Sequence, residues 1–184
     1  MFDVADVRMK AMIWLGLNCG FGCTDCAELK WSDLDLIKGR VKLARGKAGV
    51  SKDIPLWSET IQSLENIPKS GKLVFHASKD KPLIRTAYRI NEDGSSKYSN
   101  SNLVTSRVCK LMKKAGIQAP KGTGFYALRK TAATIAARSG DPFAVQRLLG
   151  HANLKMAARY VQDVSKQTDR VIENSKNYVI QRKT

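Results

Sequence analysis

The sequence predicts an α+β fold, mainly helical, with a small antiparallel β-sheet inserted early. Three observations lead there. Most of the chain spaces its apolar residues three and four apart, the period of a half-buried helix. One early stretch alternates instead, and is followed by a glycine-containing loop and a second short stretch closed by proline. The 184 residues are 43% hydrophobic and 26% charged, enough to bury one core without staples and too apolar to stay unfolded.

Residues 4–17 carry Val7, Met9, Ala11, Met12, Ile13 and Leu15, a helical pattern ending at Gly16 and the Gly20/Gly22 cluster. A short helix over 24–30 precedes Trp31-Ser32-Asp33-Leu34-Asp35. Residues 37–43 alternate as a half-buried strand, 45–50 read as a hairpin loop, and 51–56 as the return strand. Ser58 is the expected N-cap of a helix over 58–67 whose stripe is Ile61, Leu64 and Ile67. Leu73-Val74-Phe75 is a short buried run. Residues 76–101 are polar and turn-rich, with an exposed loop at 91–96 and no assigned chemistry. Helices return at about 101–115, 124–138, 142–149, 154–161 and 165–180. No internal repeat is visible.

Charge narrows the partner. Lys and Arg number 32 against 16 acidic residues, a formal charge of +16, which favours a polyanion such as nucleic acid. The excess is uneven: Asp3, Asp6, Asp25, Glu28, Asp33 and Asp35 outnumber Arg8, Lys10 and Lys30 up to residue 37, so the basic face must come from residues 38–184. No apolar run reaches the roughly 18 residues of a membrane span, and the start lacks a secretory layout. A cytoplasmic protein without membrane contact is expected.

Cys19, Cys23 and Cys26 are too crowded to pair with one another, and Cys109 is remote, so the thiols are expected to be reduced. The spacing Cys19-x3-Cys23-x2-Cys26 is also that of radical S-adenosylmethionine enzymes, whose three thiolates hold an iron–sulfur cluster. Here Asp25 precedes the third cysteine where an aromatic is usual, and the strands of a partial βα barrel are lacking. A four-thiolate zinc site is weakly supported too. The expectation is no metal and no cofactor, with the cysteines packing a glycine-rich turn.

Two segments carry the chemistry: Gly124-Phe125-Tyr126-Ala127-Leu128-Arg129-Lys130-Thr131, and Leu148-Leu149-Gly150-His151 with Tyr160 nine residues later. Singly, Arg129 reads as an ion-pair partner, His151 as a helix-end histidine and Tyr160 as a half-buried aromatic. Their joint register resembles the tyrosine recombinases, the phage-integrase family, in which H-x-x-R on a helix is followed by L-G-H and, nine residues on, a nucleophilic tyrosine. Ala27-Glu28-Leu29-Lys30-Trp31-Ser32-Asp33-Leu34-Asp35 resembles that family's L-x-L-x-W-x-D-I-D segment. Gly46-Lys47 with Asp53-Ile54-Pro55-Leu56 resembles its lysine-bearing hairpin.

The resemblance implies a tyrosine-recombinase-like catalytic domain over residues 1–165, then a helical tail over 166–184. The tail stripe Val164, Thr168, Val171, Ile172, Ser175 and Val179 suits docking to a neighbour or to its own domain. The separate N-terminal core-binding domain is absent, so the chain reads as a fragment. The implied partner is double-stranded DNA, bound as a homo-tetramer, with a monomer allowed without DNA. Implied roles are Tyr160 as nucleophile forming a 3′-phosphotyrosine, Arg129 as phosphate clamp, His151 as phosphate donor or proton acceptor, and Lys47 as the acid for the leaving 5′-oxygen. Those residue types fit metal-free phosphodiester cleavage, which needs a nucleophile and fixed cations at the non-bridging oxygens. Lys47 also reads as a plain phosphate contact.

Two departures matter. Gly22 stands where the family carries the arginine of G-L-R-x-S-E, although Thr24 and Asp25 still resemble S-E. Tyr126 replaces the usual histidine and reads equally as a site donor or a core aromatic, while Lys130 is a compensating cation or simply a charged helix residue. A DNA-binding relative with impaired catalysis is therefore the rival to a live recombinase, and the iron–sulfur enzyme is a distant third.

Overall fold

The computed structural model describes residues 1–44, 51–77, 81–138, 141–151 and 153–158. The mainly helical α+β layout is observed. A 3₁₀ turn over Phe2–Val4 leads into α1 (Val7–Cys19), whose N-terminus is capped by Asp6 accepting the Met9 N–H at 2.8 Å. The helix therefore starts later than its apolar pattern suggests and runs through Gly16. A Cβ there would lie 2.9 Å from the Leu128 Cβ, so glycine at this position lets a second helix approach closely. Met9, Ala11, Met12, Ile13 and Leu15 are all buried, making α1 the centre of the core.

Next come α2 (Cys23–Glu28), a 3₁₀ turn at Trp31–Asp33, and the strands β1 (Leu34–Asp35), β2 (Arg40–Ala44) and β3 (Ser51–Pro55) in an antiparallel sheet of order β1-β2-β3. The strand expected from residue 37 begins at Arg40. Asp35 accepts the Lys38 N–H and pairs with Arg40, so the intervening residues form a turn and Ile37 is fully exposed. The hairpin loop at 45–50 lies outside the described residues.

Helix α3 (Ser58–Glu65) does not use Ser58 as its cap. Its N-cap is Trp57, and Asn18 of α1 anchors this start: the Asn18 Oδ1 accepts both the Trp57 N–H at 2.8 Å and the Thr60 hydroxyl at 3.0 Å. This ties α3 to α1 through a buried amide, while Leu64 and Ile67 supply the apolar contact.

The polar region after His76 holds a second sheet that the sequence did not announce. Strands β4 (Ile84–Ile90) and β5 (Ser96–Asn102) pair antiparallel from Ile84↔Asn102 to Ile90↔Ser96, and the expected loop is their turn. Arg85, Thr86, Tyr88 and Ile90 are exposed, so the described side chains lack the apolar alternation that marks a half-buried strand.

The remaining helices are α4 (Leu103–Lys114), α5 (Tyr126–Ala137), α6 (Pro142–Leu149) and α7 (Leu154–Ala158). Asn102 caps α4, and Asp141 caps α6 by accepting from both Phe143 and Ala144. Ala133, Ala137, Val145, Leu149 and Ala157 form a small core where α5, α6 and α7 meet. Among the described residues no helix is long and apolar enough to cross a membrane. The tail helix expected over 165–180 lies outside them.

Candidate active site

The site forms where two helix C-termini converge on the side of α5. Helices α1 and α6 end at Gly20 and Gly150, both left-handed with φ near 60°, the conformation that glycine adopts without a Cβ penalty. Each end exposes carbonyl oxygens that lack intrahelical partners and carry the negative pole of the helix dipole. A cation is the natural complement, and α5 supplies it.

Arg129 is 3% exposed and donates from Nη1 to the Gly20 carbonyl at 2.6 Å and from Nη2 to the Leu149 carbonyl at 2.7 Å. Its planar fork bridges two chain segments, a geometry that lysine cannot reproduce. His151, also buried, comes directly after the Gly150 turn. Its backbone is clamped by Gln146, whose carbonyl accepts the His151 N–H at 3.0 Å and whose side-chain amide donates to the His151 carbonyl at 3.1 Å. The His151 Nε2 then stands 3.4 Å from the Arg129 Nη2.

A carboxylate completes the cluster. Asp25 is buried at the start of α2, and its Oδ2 accepts the Gly22 N–H at 2.7 Å. The same oxygen lies 3.6 Å from the Arg129 Nη1 and 4.0 Å from the Lys52 Nζ. Lys52 reaches in from β3, its side chain wholly buried and its ammonium 5.1 Å from the centre of the Phe21 ring. The alternation of β3 aims Lys52 inward beside Ile54 while Ser51, Asp53 and Pro55 face solvent. The sequence puts Lys52 on the return strand without marking it as a site residue; its period-2 position beside Ile54 was the available signal.

Of the sequence-predicted site residues, Arg129 and His151 come together, with the Gly22 backbone one hydrogen bond away through Asp25. Tyr126 opens α5 and is 49% exposed, which removes the core-aromatic alternative. Lys130 is exposed and its Nζ stands 5.8 Å from the centre of the Tyr126 ring; one residue on from Arg129, it is turned about 100° around the helix. Lys47 and Tyr160 lie outside the described residues.

The cysteines belong to the packing beneath this cluster. Burial pushes the Cys19 thiol up to about 12, with the Lys52 charge opposing and the Asp25 charge adding, and burial followed by Asp25 raises Cys26 well above its ordinary value. Near neutral pH such groups are thiols rather than nucleophilic thiolates. Cys23 makes a 3.4 Å contact with the Thr105 hydroxyl. Among the described residues no three His, Cys, Asp or Glu side chains gather in a way that could hold a metal ion. With helices and two small antiparallel sheets where a partial βα barrel would be required, the iron–sulfur alternative has no scaffold among the described residues.

Chemically, a buried guanidinium held in a fixed plane beside an imidazole is suited to binding an oxyanion and stabilising charge that develops on it. Comparison with known proteins gives the cluster a context. A family model described as "Phage integrase family" matches residues 2–167. No curated protein matches the sequence. Among solved structures, the chain superposes on the Tn1549 transposon integrase in complex with a circular intermediate DNA, with a TM-score of 0.63 and 18% identity over 89% of this chain and 57% of that one. The XerA recombinase gives a TM-score of 0.63 and 20% identity over 92% of this chain and 57% of that one. The XerH site-specific recombinase bound to its difH substrate gives 0.64 and 20% over 90% of this chain and 46% of that one. The chain thus spans about half the length of these structures.

Proposed function

The chain belongs to the phage integrase family, and from that membership we propose that it binds duplex DNA and cuts and rejoins it by way of a 3′-phosphotyrosine. The observation that carries this reading is the buried Arg129 fixed beside His151 by the ends of α1 and α6. That pair is a rigid receptor for one backbone phosphate, and the solved structures it resembles include recombinases in complex with DNA.

In the proposed reaction the Tyr160 hydroxyl oxygen attacks the scissile phosphorus as its proton passes to His151 or water. The P–O5′ bond breaks, and Lys47 gives a proton to the departing 5′-oxygen. Arg129 holds the non-bridging oxygens throughout, and Tyr126 at the head of α5 donates to the same phosphate. Rejoining reverses the step, with a 5′-hydroxyl from the partner strand as nucleophile. The phosphotyrosine conserves the bond energy, so no cofactor is required. Assembly as a homo-tetramer on DNA, with the 166–184 tail docked on a neighbour, completes the proposal.

A second reading is favoured by Gly22, which offers only its backbone N–H where the family places an arginine. On this account the chain binds DNA but cleaves slowly or not at all. One experiment separates the two. The chain is incubated with a pool of nicked duplexes of randomised sequence, and covalent protein–DNA adducts are resolved on a denaturing gel. A recombinase leaves an adduct that Tyr160→Phe abolishes; a binding-only relative retards the same duplexes in a native gel and leaves none.

A further inference from the structure

We infer that Lys52 is a positioning residue of the phosphate site, acting through Asp25 to keep the Arg129 charge available to a DNA phosphate. The inference rests on the DNA-cleaving reading above and deepens it. Arg129 faces the Asp25 carboxylate at 3.6 Å, close enough for that single negative charge to compete with a phosphate for the guanidinium. The carboxylate cannot simply be dispensed with, because its Oδ2 also accepts the Gly22 N–H at the start of α2. Lys52 resolves the conflict. Its ammonium lies 4.0 Å from that oxygen, with both side chains almost wholly excluded from water, where charges are weakly screened. One carboxylate is thereby shared between two cations.

The placement is specific rather than incidental. Lysine is seldom fully buried unless it is paired, and here an inward position of β3 holds one against Asp25 and the Phe21 ring. Lys130, next to Arg129 in sequence, is exposed beside Tyr126 instead. Lys52 thus reaches the cluster from the sheet.

The test uses the full chain and three variants: Lys52→Met, which keeps length and packing without charge; Lys52→Arg; and the double variant Asp25→Asn/Lys52→Met. Binding of a fluorescent duplex is followed by anisotropy over a range of salt, and adduct formation is timed on the nicked-duplex pool. Lys52→Met is expected to reduce the slope of log Kd against log salt by about 0.9, the loss of one phosphate contact, and to slow adduct formation on the order of 10–100-fold. Lys52→Arg stays near the parent. The double variant recovers most of both losses, because asparagine still accepts the Gly22 N–H but no longer competes for Arg129. Recovery is the decisive readout, since a packing role for Lys52 would leave the double variant as impaired as the single one.

A Lys52→Met chain equal to the parent in slope and rate, or a double variant without recovery, overturns the inference. Should Lys52→Met alone fail to fold, a folded double variant with the parental slope supports it and one with the reduced slope does not. If the parent forms no adduct, the cleavage reading fails while the salt slopes still decide the role of Lys52. If the parent binds no DNA, both fall together.

Discussion

The Nη2 of Arg129 lies 3.4 Å from the Nε2 of His151, and the same nitrogen donates to the carbonyl of Leu149, two residues before that histidine. Structure and chemistry are therefore not separable at this position. Arg129→Ala would take the guanidinium donor from two helix-end carbonyls and remove one of the two cations beside the Asp25 carboxylate. Breaking a buried ion pair costs about 3–5 kcal/mol, and that loss is expected in urea denaturation. Arg129→Lys keeps the charge but not the fork, so one carbonyl goes unmet at about 1–3 kcal/mol. Both variants should lose covalent adduct formation. Unchanged denaturation midpoints in Arg129→Ala would show that the guanidinium does not brace the helix ends.

Gly22 offers the opposite experiment, a gain. Its backbone is extended, with φ −96°, and a Cβ there would meet only the Asp25 Oδ2 at an ordinary 3.6 Å. A side chain is therefore tolerated without strain, and the N–H bond to Asp25 is kept. Because a preorganised donor at a developing oxyanion is worth on the order of 10²–10³ in rate, Gly22→Arg should accelerate adduct formation by about that factor while Gly22→Ala does not. Equal rates in the two variants would mean that the arginine position is no longer directed at the reacting phosphate.

How much the sequence discloses depends on which forces leave a local pattern. The stripe of α4 and the Asp141-capped start of α6 are local signals, and both helices lie within about two residues of where periodicity puts them. Strands β4 and β5 were invisible because their exposed faces need no alternation; a turn in which the Asn91 N–H donates to the Ser95 carbonyl and the cross-strand ladder hold them instead. At the site, the register of Arg129 with His151 was legible. For Lys52 the period-2 position gave its inward direction but not its role, since its partner Asp25 comes from a distant element that no local window contains.

The approach of α5 to α1 sets where Arg129 sits, and Gly16 controls it. Alanine is the better helix former by about 1 kcal/mol, which taken alone predicts that Gly16→Ala stabilises α1. Against that, the new Cβ would lie 2.9 Å from the Leu128 Cβ and 3.1 Å from its Cδ1. The nearest atom is rigidly attached to the α5 backbone, so relief requires moving the helix, and overpacking of this kind typically costs about 1–3 kcal/mol. Net destabilisation is expected, with slower adduct formation because Arg129 directly follows Leu128. A rise in thermal midpoint for Gly16→Ala would show that the two helices can part without loss.

The buried thiols predict how the fold fails in alkali. Cys19 is held protonated up to about 12 against an ordinary value of 9.0, chiefly by burial, and Cys26 is shifted in the same direction. In the unfolded chain both lose their protons near their ordinary value, so above that pH the unfolded state binds fewer protons than the folded one. The Cys19 contribution is fully present below about pH 9 and is lost as pH rises toward 12, at a limiting slope of about 1.4 kcal/mol per pH unit, and Cys26 acts in the same direction. Urea denaturation at stepped pH should show this decline, and Cys19→Ala, which removes one titrating group, should flatten it. The same protonation makes Cys19 and Cys26 poor nucleophiles, so iodoacetamide at pH about 8 is expected to modify the half-buried Cys23 and Cys109 of the folded chain first. Rapid alkylation of Cys19 in folded protein, or a pH profile that Cys19→Ala leaves equally steep, would place that thiol in contact with water instead of beneath the Asp25 cluster.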